Sequence, residues 1–553
     1  MYYNYNMADK ELTQLDLARL EDEAQELALK LNLSYLDLEK VDLNLEALKI
    51  IPEAQAKKIQ AVVFDQKPGE YYLATVNPER EEVKKLIKAI KKFGEIKIFV
   101  VSIPKFEKFL ENYRFLNIDK SRIIGEISLS DKYLEEVKKQ QDVKSFIESF
   151  FSQKFDITEM IYWIIAYALA YEASDLHLEP HEKQADLRYR IDGVLYKIAE
   201  IPINYYFKIT DRLKLISGVN LNVRDMPQDG RFKIKTQSAQ IEVRFSTIPS
   251  QIGENLVLRF LNPKTISLKL EDLGLKEQDI LIIENELKKP NGLILVTGPT
   301  GSGKTTTLYA FLKKVANPEN KVITIEDPIE YQLPIIEQTQ VDDQKGYTFA
   351  NGLRAILRQD PDIILVGEIR DEETAQIAMH ASLTGHLVFS TLHTNNAPGA
   401  VPRLLDFKIG PEIISSALNL IIAQRLVRKV CQNCAQEIDI PLDVQEKIKN
   451  TLASNAPSLT NSDKYLKITK YKKPVGCQKC NFTGYKGRIG VFEVLKIDDQ
   501  MQNLINSSSD EIKIKRLALE NGMTTMLADG LIKVLEGITD LGELERMVGP
   551  LES

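Results

Sequence analysis

Residues 293–305 read Leu-Ile-Leu-Val-Thr-Gly-Pro-Thr-Gly-Ser-Gly-Lys-Thr, and the architecture follows from them. Leu293 to Val296 form an apolar run that reads as a buried strand. A turn of the form G-x-x-x-x-G-K-[ST] follows, from Gly298 to Thr305, and a helix-like stretch from Thr305 to Val315 comes next. Strand, glycine turn and helix in that order make a phosphate-binding loop. Glycines 298, 301 and 303 let backbone N–H groups approach phosphate oxygens, and the helix N-terminus adds partial positive charge. The expected cradle for ATP is Gly298, Pro299, Thr300, Gly301, Ser302, Gly303, Lys304, Thr305 and Thr306. Lys304 can reach the β- and γ-phosphates, and the Thr305 hydroxyl can hold Mg²⁺.

Three further apolar runs lie downstream. Val322 to Ile325 leads into Glu326-Asp327-Pro328-Ile329-Glu330. Ile363 to Val366 leads into Gly367-Glu368, which resembles a Walker B segment with Gly where Asp is more usual. Leu387 to Leu392 is bracketed by His386 and His393. In an open α/β sheet, groups just beyond the carboxyl ends of strands face the ligand crevice. Splitting a γ-phosphate needs a positioned water, a metal and positive charge. Glu330, Glu368 and His393 are the candidates to position water and sense the phosphate. His386 reads as a loop or core residue.

The chain has 553 residues, too many for one core, and about three domains are expected. Its formal net charge of −7 argues against nucleic acid as the main partner. The start, Met1 to Asn6, lacks a basic region followed by an apolar core, and the most apolar stretch, Met160 to Tyr171, falls short of the roughly 20 residues of a spanning helix. A cytoplasmic location is expected, with membrane contact only through partners. All four cysteines sit in two pairs, Cys431-x-x-Cys434 and Cys477-x-x-Cys480. That pattern predicts a closed, structural Zn²⁺ site.

Residues 1–130 read as a small α/β domain. Its strand candidates are Ala61–Phe64, Tyr71–Thr75 and Ile96–Ile103, and a helix over Glu79 to Phe93 carries Val83, Leu86, Ile87, Ile90 and Phe93 on one face. Its lysines 84, 85, 88, 91 and 92 read as a solvated face. Residues 131–154 are expected to be a linker, part of it helical. Residues 155–265, with several alternating runs, read as an α+β domain with antiparallel strands. Residues 266–553 alternate strands and helices as a doubly wound nucleotide-binding domain does, with the cysteine region at 428–490.

Taken together, Ala173-Ser-Asp-Leu-His-Leu-Glu-Pro180, Arg188-Tyr-Arg-Ile-Asp-Gly193, Pro227-Gln-Asp-Gly-Arg231, Gly298–Thr306, Ile325–Glu330, Leu357–Asp362, Val366–Asp371, Thr384-Gly-His386 and His393-Thr394 resemble the secretion ATPases of type IV pilus assembly and type II secretion, the PilB/GspE group. The resemblance is strong over about 155–550 and weaker over 15–125. It implies a RecA-like P-loop domain preceded by a PAS-like domain, with an N-terminal domain that docks a cytoplasmic partner. It implies Glu330 as base, Glu368 in support of Mg²⁺ and water, and His393 in the family's histidine box. Arg190, Arg244, Arg259 and Arg403 match arginines that contact phosphates or the subunit interface; Asp175 and His177 match residues of structural role. A homohexamer acting on an inner-membrane platform protein is the implied assembly. Pilus assembly is the expected task, with type II secretion as the alternative and a nucleic-acid translocase of a related ring family behind it. The cysteine pairs and the N-terminal domain argue against a retraction motor. Some N-terminal domains of the group bind cyclic di-GMP through Arg-Leu-Gly repeats; no such motif occurs, and that ligand is not expected.

Overall fold

Three β-sheets of four to seven strands and one two-stranded ladder organise the described residues, and each of the three sheets takes its form from the burial its sequence pattern allows. The computed structural model describes residues 14–38, 41, 44–67, 69–110, 112–113, 125–139, 143–152, 156–237, 239–261, 268–457 and 463–551. The first residues, Met1 to Asn6, and the expected boundaries near Phe155 and Ile266 lie outside them. Two units are distinguished, residues 1–260 and 261–553.

In the first unit a small sheet holds β1 (Ser34–Tyr35), β2 (Ala61–Lys67), β3 (Glu70–Thr75) and β4 (Glu95–Val100), in the order β1-β4-β3-β2. β3 and β4 run parallel, so the chain must cross over between them, and the helix Glu81–Ile90 makes the crossing. It buries Val83 and Ile90 and turns its lysines to solvent. The helix ends at Ile90; Phe93, expected on its apolar face, lies beyond that end and is exposed.

The second sheet has seven strands: β5 (Glu126–Ser128), β6 (Asp175–Pro180), β7 (Gln184–Ile191), β8 (Val194–Pro202), β9 (Gln228–Lys235), β10 (Gln240–Pro249) and β11 (Glu254–Leu261). Their order is β5-β9-β10-β11-β6-β7-β8. Burial alternates residue by residue along β7, as the period of two in its sequence requires. The inward residues, among them Leu187, Tyr189 and Phe245, share a core with Ile164 and Ile165 of the helix Ile157–Ala170. Asp156 caps that helix, its carboxylate accepting from the N–H of Thr158. The stretch 131–154, expected to be a linker, carries the helices Asp131–Lys139 and Val143–Ser152. Val137, Ile147 and Phe150 from these helices are buried in the same core. The Trp163 ring stands edge-on to Tyr133 at 4.7 Å and to Phe146 at 5.1 Å. The aromatic side chains of these two short helices make them part of the sheet's packing.

The third sheet, in the second unit, holds β12 (Gly292–Thr297), β13 (Val322–Glu326), β14 (Glu337–Gln340), β15 (Ile363–Val366), β16 (Leu387–Leu392), β17 (Leu418–Val430) and, after the short ladder of β18 (Gln436–Asp439) and β19 (Lys470–Lys473), β20 (Tyr485–Lys496). The order is β14-β13-β15-β16-β12-β17-β20, parallel throughout except for the antiparallel pair β17 and β20. Every residue of β12, β13, β15 and β16 is buried. Helices on both faces cause this: Leu308 and Phe311 of Lys304–Val315 pack on one side, Met379 of Glu372–Leu383 and Ile414 of Pro411–Ala417 on the other. The result is an α/β sheet wound on both faces, as the alternation of runs implied. Among the described residues no helix is long and apolar enough to cross a membrane.

Candidate nucleotide site and cysteine cluster

The glycine loop leaves the carboxyl end of β12 and enters the helix Lys304–Val315. Gly298 has φ +145°, and a Cβ there would stand 2.6 Å from the carbonyl oxygen of Gln424, so no other residue fits. Gly303, at φ +90°, turns the chain into the helix. Lys304 Nζ donates to the carbonyls of Gly298 at 2.8 Å and Pro299 at 3.1 Å, holding its charge over the loop. Burial lowers the Lys304 pKa, opposed by the charge of Glu368 and helped by that of Arg425. Thr305 is exposed in the first turn, where a hydroxyl can ligate a phosphate-bound Mg²⁺; Ser302 beside it is buried.

The acidic groups gather at the same end of the sheet. Glu326, last residue of β13, is buried; it accepts from Tyr309 Oη, from Thr324 Oγ1 at 2.7 Å and from Gln338 Nε2 at 3.1 Å. Burial, then the Glu326 charge, raises the Tyr309 pKa, so its hydroxyl remains a donor. Gln338 also donates to the Tyr331 carbonyl at 2.9 Å and accepts from Leu333 N–H, framing the segment that carries half-buried Glu330. Glu368 follows β15 by two residues. Its Oε2 lies 3.4 Å from His393 Nε2, just past β16, and its Oε1 accepts from Arg370, which also reaches Asp327 at 3.4 Å. Burial works against ionisation of Glu368, but Arg370 and then His393 hold its carboxyl below the usual value. Glu368 is therefore an ionised acceptor near neutrality, able to hold water or a hydrated cation. The structure brings Lys304, Glu368 and His393 to neighbouring strand ends, β12, β15 and β16. His386 is elsewhere: its Nδ1 lies 3.0 Å from the Ala381 carbonyl at a helix end.

The expected arginines divide. In the second sheet Arg190 of β7 and Arg259 of β11 both face Asp175 of the intervening β6, since Asp175 pairs with Arg190 on one side and Arg259 on the other. Arg259 Nε donates to Asp175 Oδ1 at 2.9 Å; Arg190 Nε lies 3.4 Å from Oδ2. Asp175 is 4% exposed, the two guanidiniums far more so, and this buried carboxylate presents two cations on the open face. Arg244 lies on β10, opposite Arg231 of β9. In the other unit Arg403 stays on its own helix Ala400–Asp406, over the Phe407 ring at 4.8 Å and 3.6 Å from Asp406.

β17 ends at Val430, next to Cys431, and β20 begins five residues after Cys480, so the two strands carry the cysteine pairs on adjacent chain ends. All four thiols are free, with Cys431–Cys477 Sγ atoms 3.9 Å apart and Cys434–Cys480 3.8 Å apart. Sulfurs at about 2.3 Å from a tetrahedral zinc stand about 3.8 Å from one another, so the donor set fits that metal. Although burial opposes it, N–H groups of Cys477 and Gly484 draw the Cys480 thiol down to about 7. When bound, Zn²⁺ would be held by Cys431, Cys434, Cys477 and Cys480 and would cross-link the two chain ends.

Sequence reasoning gave no role to Arg370, Tyr309, Gln338, Gln424 or Arg425. Arg370 lies inside the quoted block Val366–Asp371, and Gln424 and Arg425 interrupt the apolar run Leu418–Val427, but neither pattern says what these side chains touch.

The family model described as "Type II/IV secretion system protein" matches residues 152–546, and the MshEN domain model matches residues 31–114. The chain is 38% identical over 505 residues to type II secretion system protein E of Pectobacterium carotovorum subsp. carotovorum, covering 91% of this chain and 98% of that one. It is 40% identical over 427 residues to the type IV pilus assembly ATPase PilB of Thermus thermophilus, covering 76% and 46%. The solved ATPase DotB of Yersinia pseudotuberculosis superposes with a TM-score of 0.53 at 21% identity, over 71% of this chain and 94% of that chain; this likeness is one of fold.

Proposed function

The chain belongs to the type II/IV secretion system protein family and is a P-loop ATPase of that family; from this premise we propose that it hydrolyses ATP as a homohexamer to drive assembly of a filament of pilin-type subunits through an inner-membrane platform protein. The observation that carries the reading is the convergence of Lys304, Glu368 and His393 at adjacent ends of one parallel sheet. Lys304 and the loop N–H groups grip the triphosphate, and Thr305 ligates Mg²⁺. Glu330 takes the proton of the attacking water, a role worth about 10²–10⁴ in rate. Glu368 orients that water, and His393 responds to the γ-phosphate. Arg190, Arg244 and Arg259 on the open face of a PAS-like domain, with Arg403, supply guanidinium groups to the phosphates of a neighbouring subunit. The N-terminal domain docks a cytoplasmic partner, and the protein works in the cytoplasm with membrane contact through partners.

The sequence pattern favours type IV pilus assembly. Type II secretion is a second reading, favoured by the end-to-end match to the Pectobacterium protein. Deleting the gene separates them: loss of surface pili with secreted enzymes unchanged supports assembly, and the reverse supports secretion. A purified hexamer that releases no phosphate from ATP with Mg²⁺ defeats both.

A further inference from the structure

β17 lies directly beside β12 and is apolar over Leu418–Ala423 except for Asn419, then carries Gln424 and Arg425. Gln424 is 1% exposed, and a buried amide is costly unless both its polar atoms find partners. Both partners belong to the phosphate loop and its helix: Nε2 donates to the Ser302 carbonyl at 2.7 Å, and Oε1 accepts from Thr307 Oγ1 at 2.8 Å. The backbone of Gln424 closes on the loop as well, its carbonyl oxygen filling the space where a Cβ on Gly298 would go. A trans peptide points its C=O and N–H in opposite directions. Holding the Ser302 carbonyl toward β17 therefore aims the Gly303 N–H, in the same peptide unit, away from β17. Arg425, next along the strand, projects to the opposite face. Its Nη1 donates to the Gln424 carbonyl at 3.2 Å and its Nη2 to Asn395, at 3.4 Å to the carbonyl and 3.3 Å to Oδ1. Asn395 is two residues past His393.

We propose that Gln424 is the positioning residue of the phosphate loop, and that Arg425 ties the same strand to the loop bearing His393. Gln424 sets the direction of a loop N–H before nucleotide arrives, and it acts alike on ATP and ADP because both carry a β-phosphate. Arg425 acts on the later step, by fixing where His393 stands when the γ-phosphate is split. The inference deepens the ATPase reading and rests on the loop being the nucleotide site.

The test uses the full chain and fluorescent ATP and ADP analogues, with phosphate release measured in parallel. Gln424→Met keeps length and removes both hydrogen bonds; it is expected to weaken both nucleotides about tenfold or more, with kcat at saturating ATP within about threefold of the parent. Gln424→Glu keeps the acceptor for Thr307 but turns a carboxylate on the Ser302 carbonyl, and is expected to bind both nucleotides still more weakly; it decides the matter if the Met variant does not fold. Arg425→Lys keeps the positive charge near Lys304 but loses the guanidinium contacts to Asn395, and is expected to lower kcat about tenfold while ADP affinity stays within about twofold. Parental affinities in a folded Gln424 variant overturn the inference, as does a loss confined to kcat. A parent chain that binds no ATP overturns the nucleotide reading itself, and this inference with it.

Discussion

The two seven-stranded sheets place their reactive groups in opposite ways. In the parallel sheet β12, β13, β15 and β16 are buried from end to end, and the groups assigned to the nucleotide stand at or just past their carboxyl ends: the glycine loop after β12, Glu326 at the end of β13 and Glu330 beyond it, Glu368 after β15, His393 after β16. In the second sheet, antiparallel except where β5 pairs with β9, one face is open, and the polar groups stand in a row across strands, Arg190 and Arg259 on either side of Asp175. A sheet covered on both faces concentrates its chemistry at an edge, where helix N-termini and loop N–H groups add to it. A sheet covered on one face can offer a flat array of cations, suited to meeting a second surface. In the proposed function the first arrangement binds the nucleotide and the second completes a neighbour's site.

The largest effect should fall where the parallel sheet is extended beyond its helices, at the tip of β17 and β20. Elemental analysis should find about one zinc per chain, and its binding free energy should be on the order of 10 kcal/mol. Chelation should expose residues 435–476 to protease while β12 to β16 stay protected; a chain without zinc and equally resistant would break this part of the contrast. Next, Lys304→Ala should lower turnover about 10²–10³-fold and weaken nucleotide binding, since it removes the cation at the loop. Asp175→Asn should be milder, lowering turnover of the assembled enzyme about tenfold and stability by about 1–2 kcal/mol, with nucleotide affinity of the loop retained. Equal losses of affinity in the two variants would erase the distinction between gripping and completing. The smallest effect concerns pH. The Glu368 carboxyl lies below its ordinary value of 4.5, so its contribution to stability is present above that value and is lost as pH falls through the lower, folded-state value. The stability difference between the parent chain and Glu368→Gln should shrink as pH falls below about 4.5; a difference that persists unchanged to lower pH would contradict an ionised Glu368.

How much could be read from the sequence follows the same divide. The place of the polar groups at the ends of the parallel strands was legible because each is contiguous with the strand that carries it: Gly298 to Thr305 is one run, and Gly367-Glu368 follows its strand directly. The cysteine cluster was legible because its two short pairs have metal-ligand spacing. The Asp175 arrangement was not, because Asp175 and Arg259 lie 84 residues apart and meet only through strand register. Gln424 was hidden for another reason: one amide in an apolar strand says nothing until the neighbouring strand brings Ser302 and Thr307 to it. Residues 131–154, expected to be a partly helical linker, carry helical spacing in Val143, Phe146, Ile147, Phe150 and Phe151; that this face joins the core of the second sheet appears only in the fold. Arg403 matched a motif, yet its ring and carboxylate contacts lie close to its own helix.

The central claim is that acidic groups at the ends of the parallel strands split a triphosphate held by the glycine loop. Its most direct measurement is phosphate release by Glu330→Gln, taken beside ATP binding under the same conditions with Mg²⁺. The account predicts affinity within about threefold of the parent and release slower by about 10²-fold or more. Unchanged release at unchanged affinity would contradict it.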